Sequence, residues 1–271
     1  MAAAKKLARL KKIISRYNSC LVAFSGGVDS TCLLKVASIV LPRDRILAVT
    51  ADSATYPKVE LLNARRIARL IGVRHKIIKT NELKDARFIA NPFNRCYFCK
   101  YELFTKLKKL AKKFKLNFVV EGSSLSDKSD FRPGEAAKQE LKIRSPLAKA
   151  GFTKGDIRRL SRFFGLNTWD KPALACLASR IPYGTQISVR LLQRIDHAET
   201  YLRELGFRQA RVRHYNGLCR IEVLKDDLPG LIAKANLVVD KLKKLGYNYV
   251  TVDLEGYRTG SMNEVLRRVK R

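Results

Sequence analysis

No run of apolar residues approaches the roughly 18 that a membrane-crossing helix needs. Behind Met1 Ala2 Ala3 Ala4 Lys5 Lys6 there is no apolar core of a secretion signal. A membrane partner is therefore not expected, and a cytoplasmic address is. Histidine is scarce: the three residues, at 75, 197 and 214, are too far apart to suggest a histidine metal site. Negative charge is also scarce, with 24 Asp and Glu against 55 Lys and Arg, a formal net charge of +31. Such an excess attracts polyanions. It fits nucleic acid, and it equally fits solvated helix faces around a site for phosphorylated small molecules. Lys108–Lys109, Lys112–Lys113 and Lys243–Lys244 sit in helical patterns, as solvated faces do. There is no internal repeat and no low-complexity tract. Neither the Gly-x-x-x-x-Gly-Lys-Ser/Thr loop nor the Gly-x-Gly-x-x-Gly fingerprint occurs, which argues against the two commonest nucleotide-binding turns.

What is present is an alternation of strands and helices. The chain has 271 residues, 46% of them apolar, enough for one large domain or two modest ones. Leu7, Leu10, Ile13 and Ile14 recur at helical spacing over 4–17. Buried-strand runs follow at 20–24, 45–50, 74–79 and 116–120, and 141–150 is expected to return to the sheet. Helices are expected at 29–40 and 153–164, and at 56–71 through Val59, Leu62, Ile67 and Leu70, closed by Gly72. A basic helix of about 15 residues should follow Lys100. This order predicts a doubly wound parallel α/β sheet, with ligands at the carboxyl ends of its strands. At 171–185 the composition turns irregular. Beyond it, a helix over 188–205, strands at 209–214 and 219–224, a helix over 228–245 and a strand at 247–254 predict a smaller α/β unit. The expected domains are 1–170 and 171–271.

The stretch around which this order is arranged is Leu21-Val-Ala-Phe-Ser-Gly-Gly-Val-Asp-Ser30. A short apolar strand meets a glycine turn and then a helix start. Ser25, Ser30, Thr31 and the free N–H groups of the turn converge at a helix N-terminus, where an anion is held. The pattern Ser25-Gly26-Gly27-x-Asp29-Ser30 resembles the pyrophosphate loop of the ATP pyrophosphatases. That resemblance implies cleavage of ATP between its α and β phosphates and transfer of AMP to a substrate oxygen. Ala51 follows the second strand, at the same carboxyl end of the sheet, so an adenine could lie against the backbone there. The long polar stretch Glu121–Gly134, with Asp127 and Arg132, falls after the fourth strand and has the length of a functional loop.

Six cysteines occur, at 20, 32, 96, 99, 176 and 219. Disulfides are not expected in a cytoplasmic chain of this size. Cys96-x-x-Cys99 brings two thiols together, and Cys176 lies in the irregular segment at the domain boundary. Three thiolates could bind a [4Fe-4S] cluster and leave one iron open; a redox dithiol or an isolated thiol remains a competing reading. Structural zinc is disfavoured, because no fourth ligand is evident. Cys20, Cys32 and Cys219 read as core packing.

The loop at 25–30, the Asp-x-Arg-Pro-Gly ending at 130–134, the segment Pro172–Thr185 and the closing Asp253-Leu-Glu-Gly-Tyr-Arg-Thr-Gly-Ser-Met-Asn263 together resemble the LarE family over nearly the whole chain. LarE proteins are ATP-dependent sulfur transferases that build the nickel-pincer nucleotide cofactor of lactate racemase. The resemblance implies adenylation of a carboxylate of pyridinium-3,5-biscarboxylic acid mononucleotide, displacement of AMP by sulfur, and a second round. It implies ATP and Mg²⁺, a sulfide donor system and a homo-oligomer. Ser25, Gly26, Gly27, Asp29 and Ser30 would hold phosphate, with Asp29 near Mg²⁺, and Asp127 and Arg132 would lie beside the nucleotide. Arg180, Arg211, Arg213 and Arg258, with Ser261, would face the substrate's phosphate or carboxylate, and Glu222 could line the site. In some members the cysteine matching Cys176 surrenders its own sulfur and becomes dehydroalanine. In others three cysteines hold a [4Fe-4S] cluster whose open iron carries sulfide. Cys96 and Cys99 beside Cys176 look like the second type, which would make Cys176 a ligand. This chain has Ser123-Ser-Leu-Ser-Asp127 where the family usually has Thr-Asn-x-Asp-Asp. Thiolation of a tRNA base by a related enzyme fits the charge, but the extra zinc-finger cysteine pairs of such enzymes are missing. A nucleotide sensor without chemistry would not need Asp29 and the three cysteines.

Overall fold

A computed structural model of the protein describes residues 2–129, 133–172 and 175–265. The chain divides into two compact units, Met1–Phe88 with Asn94–Leu174, and Ile89–Phe93 with Ala175–Arg271.

The first unit is built on four parallel strands, β1 (Cys20–Ala23), β2 (Ile46–Asp52), β3 (Arg74–Lys79) and β4 (Phe118–Val120), in the order β3-β2-β1-β4. Helices α1 (Ala2–Ser15), α2 (Val28–Val40), α3 (Lys58–Ile71), α4 (Ala86–Ile89) and α5 (Arg95–Lys113) alternate with them. After β4 come α6 (Gly134–Glu140), the one-turn α7 (Pro146–Lys149) and α8 (Lys154–Phe163). The period-two side-chain alternation of a strand sorts β1 and β2 onto two faces. Cys20, Val22, Ile46 and Ala48 pack with Leu10, Ile14, Leu33, Leu34 and Ile157 of α1, α2 and α8. Leu21, Leu47 and Val49 pack on the other face with Phe104, Leu107 and Ala111 of α5. Helices therefore cover both faces, as a doubly wound sheet requires. Each fully buried leucine contributes about 1.5–3 kcal/mol of transfer free energy.

Several local expectations needed correction. Cys96 and Cys99 lie inside α5, at its start, because the helix begins at Arg95. Residues 141–150 return to the sheet only through one parallel bridge between Val120 and Arg144. On α3, Val59, Leu62 and Leu70 are exposed, while Glu60, Ala64 and Ala68 are buried. Small side chains at Ala64 and Ala68, one turn apart, let that face approach the 25–27 loop closely. A Cβ on Gly26, whose φ is +67°, would sit 3.0 Å from Ala64 Cα.

In the second unit, β5 (Ala210–Tyr215) and β6 (Leu218–Val223) form an antiparallel hairpin, and β7 (Tyr249–Val252) adds in parallel to β6. The hairpin turns at Asn216-Gly217, both with positive φ, the pair that suits a two-residue turn. Helix α9 (Val189–Glu204) is capped by Ser188, whose Oγ accepts from Leu191 N. The expected helix over 228–245 is split into α10 (Leu228–Ala233) and α11 (Ala235–Lys244). These helices and the sheet enclose a core of Leu202, Phe207, Val212, Ile221 and Leu242. Asn91 joins residues 89–93 to this unit: its side-chain amide donates to the carbonyls of Pro182 (2.7 Å) and Thr185 (2.9 Å).

Candidate active site

In the first unit, the turn after β1 folds onto the start of α2. Ser30 Oγ lies 3.1 Å from Ser25 Oγ, accepts from Ser25 N and donates to Gly27 O. Tyr56 Oη donates to Ser25 O from the α3 side. Gly27 is the N-cap of α2 and offers no capping side chain, so the first N–H groups of the helix are left to a ligand. After β4 the chain passes directly beneath: a Cβ on Gly122 would lie 2.9 Å from Ser30 N. Ala51 lies inside β2 and pairs with Ile78. The β1 side of the ladder ends at Val49, so Ala51 has a ladder partner on the β3 side alone.

Asp29 carries the charge at this turn. One carboxylate oxygen receives the Lys154 ammonium, and Oδ1 is buried with no hydrogen-bond partner among the described residues. Burial pushes the Asp29 carboxyl above its ordinary pKa, the nearby Asp127 charge adds to this, and Lys154 opposes it. Lys154 also lies 3.7 Å from Asp127, whose other oxygen accepts from Ser124 N (2.7 Å) and Ser124 Oγ (2.9 Å). Lys154 thus stands between two carboxylates, at N1 of α8, where Thr153 and Asp156 form a reciprocal cap. Lys171 donates to the buried Glu60 and reaches Gly26 O at 3.5 Å. Beside Asp127 a cavity of about 290 Å³ is lined by Ser123, Lys138, Ser145 and Lys149, among others. Lys138 is 6% exposed in its side chain and bonds Glu121 (3.1 Å), Ser123 (3.2 Å) and Ser145 (3.1 Å). Burial would raise the Glu121 carboxyl. The Lys100 and Lys138 ammoniums and the Ser145 and Ser123 hydroxyls outweigh it and hold Glu121 below the usual range. Arg132 lies outside the described residues.

None of the six cysteines is disulfide-bonded. Cys96 is exposed and Cys99 partly exposed, one helical turn apart on α5. Cys176 is partly exposed in the second unit, where it caps the 3₁₀ turn Leu177–Arg180. Cys20, Cys32 and Cys219 are buried, and burial pushes each thiol up to about 12.

The second unit buries an arginine–glutamate cluster. Arg180 is 0% exposed; its guanidinium grips Glu199 twice (2.7 and 3.0 Å) and donates to the carbonyls of Ala175 (3.0 Å) and Cys176 (3.1 Å). A planar fork suits such bidentate pairing. Glu199 also accepts from Val212 N at 3.1 Å. The β5–β6 register puts Arg211 opposite Glu222 and Arg213 opposite Arg220. Arg213 donates to Glu222 (2.6 Å), Ser261 (3.0 Å) and the Ser179 carbonyl (3.1 Å), and Ser261 donates to Glu222 (3.1 Å). Arg211 stacks over Tyr257 at 5.3 Å, and burial, reinforced by the Arg180 charge, lowers it to about 10. Arg258 pairs with Asp253, Glu255 and Glu264. Arg180, Arg211, Arg213, Glu222 and Ser261 are thus brought together around the segment that carries Cys176, and Arg258 is linked to Glu222 through Asp253 and Arg220.

The family model described as queuosine biosynthesis protein QueC matches residues 19–90, the span of β1 to α4. An uncharacterized protein of Synechocystis is 43% identical over 96% of this chain and 98% of its own length. The pyridinium-3,5-bisthiocarboxylic acid mononucleotide synthase of Lactiplantibacillus plantarum is 35% identical over 98% of this chain and 97% of its own length. This chain belongs to the LarE family. An uncharacterized protein of Methanocaldococcus jannaschii is 31% identical over 94% of this chain and 98% of its own length. The QueC match and the four-stranded parallel sheet give this LarE-family chain the pyrophosphate-loop α/β fold.

Some of the buried charged residues of this LarE-family chain had no local signal. Lys154, Lys171, Glu60 and Glu199 act through partners far away in sequence; Lys154 and Asp29 are 125 positions apart. Gly122 could have been singled out, as a glycine two positions after the fourth strand, where a backbone passes close to the loop.

Proposed function

We propose that this protein is an ATP-dependent, AMP-forming sulfur transferase acting on pyridinium-3,5-biscarboxylic acid mononucleotide. A substrate carboxylate oxygen attacks the α-phosphorus of ATP, the bond from Pα to the bridging oxygen breaks and pyrophosphate leaves. Sulfide then attacks the acyl carbon, the carbon–oxygen bond to AMP breaks, and a thiocarboxylate remains. A second round gives the bisthiocarboxylate. Adenylation is needed because a carboxylate oxygen is a poor leaving group. The observation that carries this reading is the Ser25–Ser30 turn with its uncapped α2 N-terminus, in a chain 35% identical along 98% of its length to the named synthase.

In this reading the N–H groups at Gly26, Gly27 and the start of α2, with the Ser25 and Ser30 hydroxyls, take the phosphate oxygens. The buried, unpartnered Oδ1 of Asp29 fits a hard cation. Mg²⁺ there would neutralise the charge that grows on the leaving pyrophosphate. Asp127 would stand beside the same cation, with Lys154 free to turn to phosphate, and Arg132 and the Ala51 backbone would flank the nucleotide. Arg211, Arg213 and Arg258, with Ser261, would hold the substrate's phosphate and carboxylates, and Glu222 would line the site. Arg180 would act through its bonds to Glu199 and the Cys176 carbonyl, orienting the Cys176 segment. Cys96 and Cys99, one helical turn apart on α5, and Cys176 would hold a [4Fe-4S] cluster; all three are at least partly exposed, and no group of three such ligands is gathered among the described residues. When bound, the cluster would supply the sulfide nucleophile. The reading also entails a sulfide donor system, a homo-oligomer and a cytoplasmic setting.

The net charge of +31 favours one alternative, thiolation of tRNA by the same activation chemistry. The test is anaerobic purification, assay of iron and acid-labile sulfide, and ATP-to-AMP turnover with the pyridinium mononucleotide and with bulk tRNA. Turnover and thiolated product with the mononucleotide are expected. Thiolated tRNA without mononucleotide turnover would replace the reading. A cluster-free protein with dehydroalanine at Cys176 after turnover would restore the sacrificial route.

A further inference from the structure

Helix α1 and the turn after it carry Lys5, Lys6, Arg9, Lys11, Lys12 and Arg16, and no acidic residue. Among the described residues only Lys6 of this set is ion-paired, to Asp156 at 2.6 Å. Lys5, Arg9, Lys12 and Arg16 are all exposed, and they recur at the four-three-four spacing of a single helix face. Leu10 and Ile14, on the other face, are 0% and 1% exposed in the core of the unit.

The stripe ends at a cavity of about 430 Å³, lined by Ile13, Arg16, Tyr17, Phe118, Arg144 and Lys149, among others, with Ser145 and Lys149 shared with the cavity beside Asp127. Its floor is apolar and aromatic: the Tyr17 and Phe118 rings pack at 4.8 Å, and the Arg144 guanidinium lies over Phe118 at 5.7 Å. Its rim is cationic, since Arg16, Arg144 and Lys149 are exposed and none is ion-paired among the described residues. Phe118 begins β4 and Arg144 bridges Val120 at its end, so this cavity runs along β4. The activation chemistry described above uses none of these cations.

We infer that the α1 stripe and this cavity form a binding surface for single-stranded nucleic acid. The row of cations would follow consecutive phosphates, and a base would enter the cavity to stack on the Arg144 plane and pack against Phe118. A cationic track combined with a stacking platform is how single strands are bound without regard to sequence. An anionic membrane fits less well. A basic amphipathic helix inserts its apolar face into lipid, and the apolar face of α1 is already buried in the protein core. The inference does not depend on the substrate of the sulfur transfer.

The test is fluorescence anisotropy of a labelled oligouridylate of ~20 nucleotides with the full-length protein, titrated at several salt concentrations. The stripe variant Lys5→Glu/Arg9→Glu/Lys12→Glu should weaken binding by about tenfold or more, and should flatten the log–log salt slope by about 0.7 for each phosphate it no longer neutralises. Arg144→Ala should weaken binding without removing most of the salt slope. The stripe variant should keep AMP formation unchanged. A control variant of equal charge change on α5, Lys108→Glu/Lys109→Glu/Lys112→Glu, should bind nearly as the unmodified protein does. An equal loss in the control would mean diffuse attraction to a basic protein and would overturn the inference. So would stripe-dependent binding to phosphatidylserine vesicles with none to the oligonucleotide.

Discussion

The Lys171 ammonium donates to the Glu60 carboxylate and reaches the Gly26 carbonyl at 3.5 Å. One side chain thus joins the first turn of α3, the turn after β1 and the stretch of chain that runs on to Cys176. Tyr56, just before α3, and Glu60 and Ala64, on it, face the same turn.

Removing Lys171 leaves Glu60, a side chain 9% exposed, without its counter-charge. Lys171→Met should cost about 2–3 kcal/mol of stability, somewhat under the loss for a fully buried pair because Lys171 retains some solvent. The KM for ATP should rise about tenfold, since the Gly26 carbonyl loses its anchor. Adding Glu60→Gln to Lys171→Met should recover most of the stability but not the KM. A double-mutant cycle by urea denaturation, run beside a pyrophosphate-release assay, measures both. Additive stability losses would show that the two residues do not act together.

Gly122 leaves no room for a side chain. A Cβ there would meet Ser30 N at 2.9 Å and Asp29 Cβ at 3.2 Å. Gly122→Ala should push the α2 N-terminus out of position, with an overpacking cost of about 1–3 kcal/mol. ATP binding by calorimetry should weaken more than the fold does. An unchanged affinity would show that the loop tolerates the shift.

Thiol chemistry should separate the cysteines into two sets. Cys96, Cys99 and Cys176 are at least partly exposed, while Cys20, Cys32 and Cys219 are buried with thiols pushed up to about 12. Since the thiolate is the reactive form, iodoacetamide at neutral pH should label the first three in the native, metal-free protein. The other three should react only after denaturation. Peptide mass spectrometry reads the outcome, and fast labelling of Cys20 or Cys32 in the native state would contradict the burial.

The Glu121–Lys138 pair should make stability pH-dependent on the acid side. The folded carboxyl is held below its unfolded value by Lys100, Lys138, Ser145 and Ser123, against its burial. Its contribution is therefore complete above the unfolded value of about 4.3 and is lost as the pH falls from there through the depressed folded value. Lys138→Met should weaken this dependence, with Lys100 and the two hydroxyls keeping part of it, and should cost about 3 kcal/mol near neutrality, because it takes a direct partner from a buried charge. Urea midpoints between mildly acidic and neutral pH measure both effects. An unchanged acid limb in Lys138→Met would assign the dependence elsewhere.

Much of the fold was legible in one dimension because its causes are local. Strands such as Ile46–Asp52 are near-continuous apolar runs, and helices such as Val189–Glu204 carry their own period and cap. Their alternation leaves a parallel sheet as the simple solution. The turn at Ser25–Ser30 was legible for the same reason: its glycines and hydroxyls serve a geometry completed within six residues. Where local pattern misled, a close approach had overridden it. On α3 the apolar positions Val59, Leu62 and Leu70 face outward, because small Ala64 is what lets the helix lie against Gly26.

The charged framework of the site was not legible, and could not have been. Lys154 meets Asp29, Lys171 meets Glu60 and Arg180 meets Glu199 across 125, 111 and 19 positions. In a chain with 55 lysines and arginines, nothing local distinguishes a buried partner from a solvated surface charge. That distinction comes from desolvation, which depends on what folds over a side chain rather than on its neighbours in sequence. The sequence therefore announces the glycine turn after β1, and folding within each unit selects the few cations and carboxylates that become buried partners.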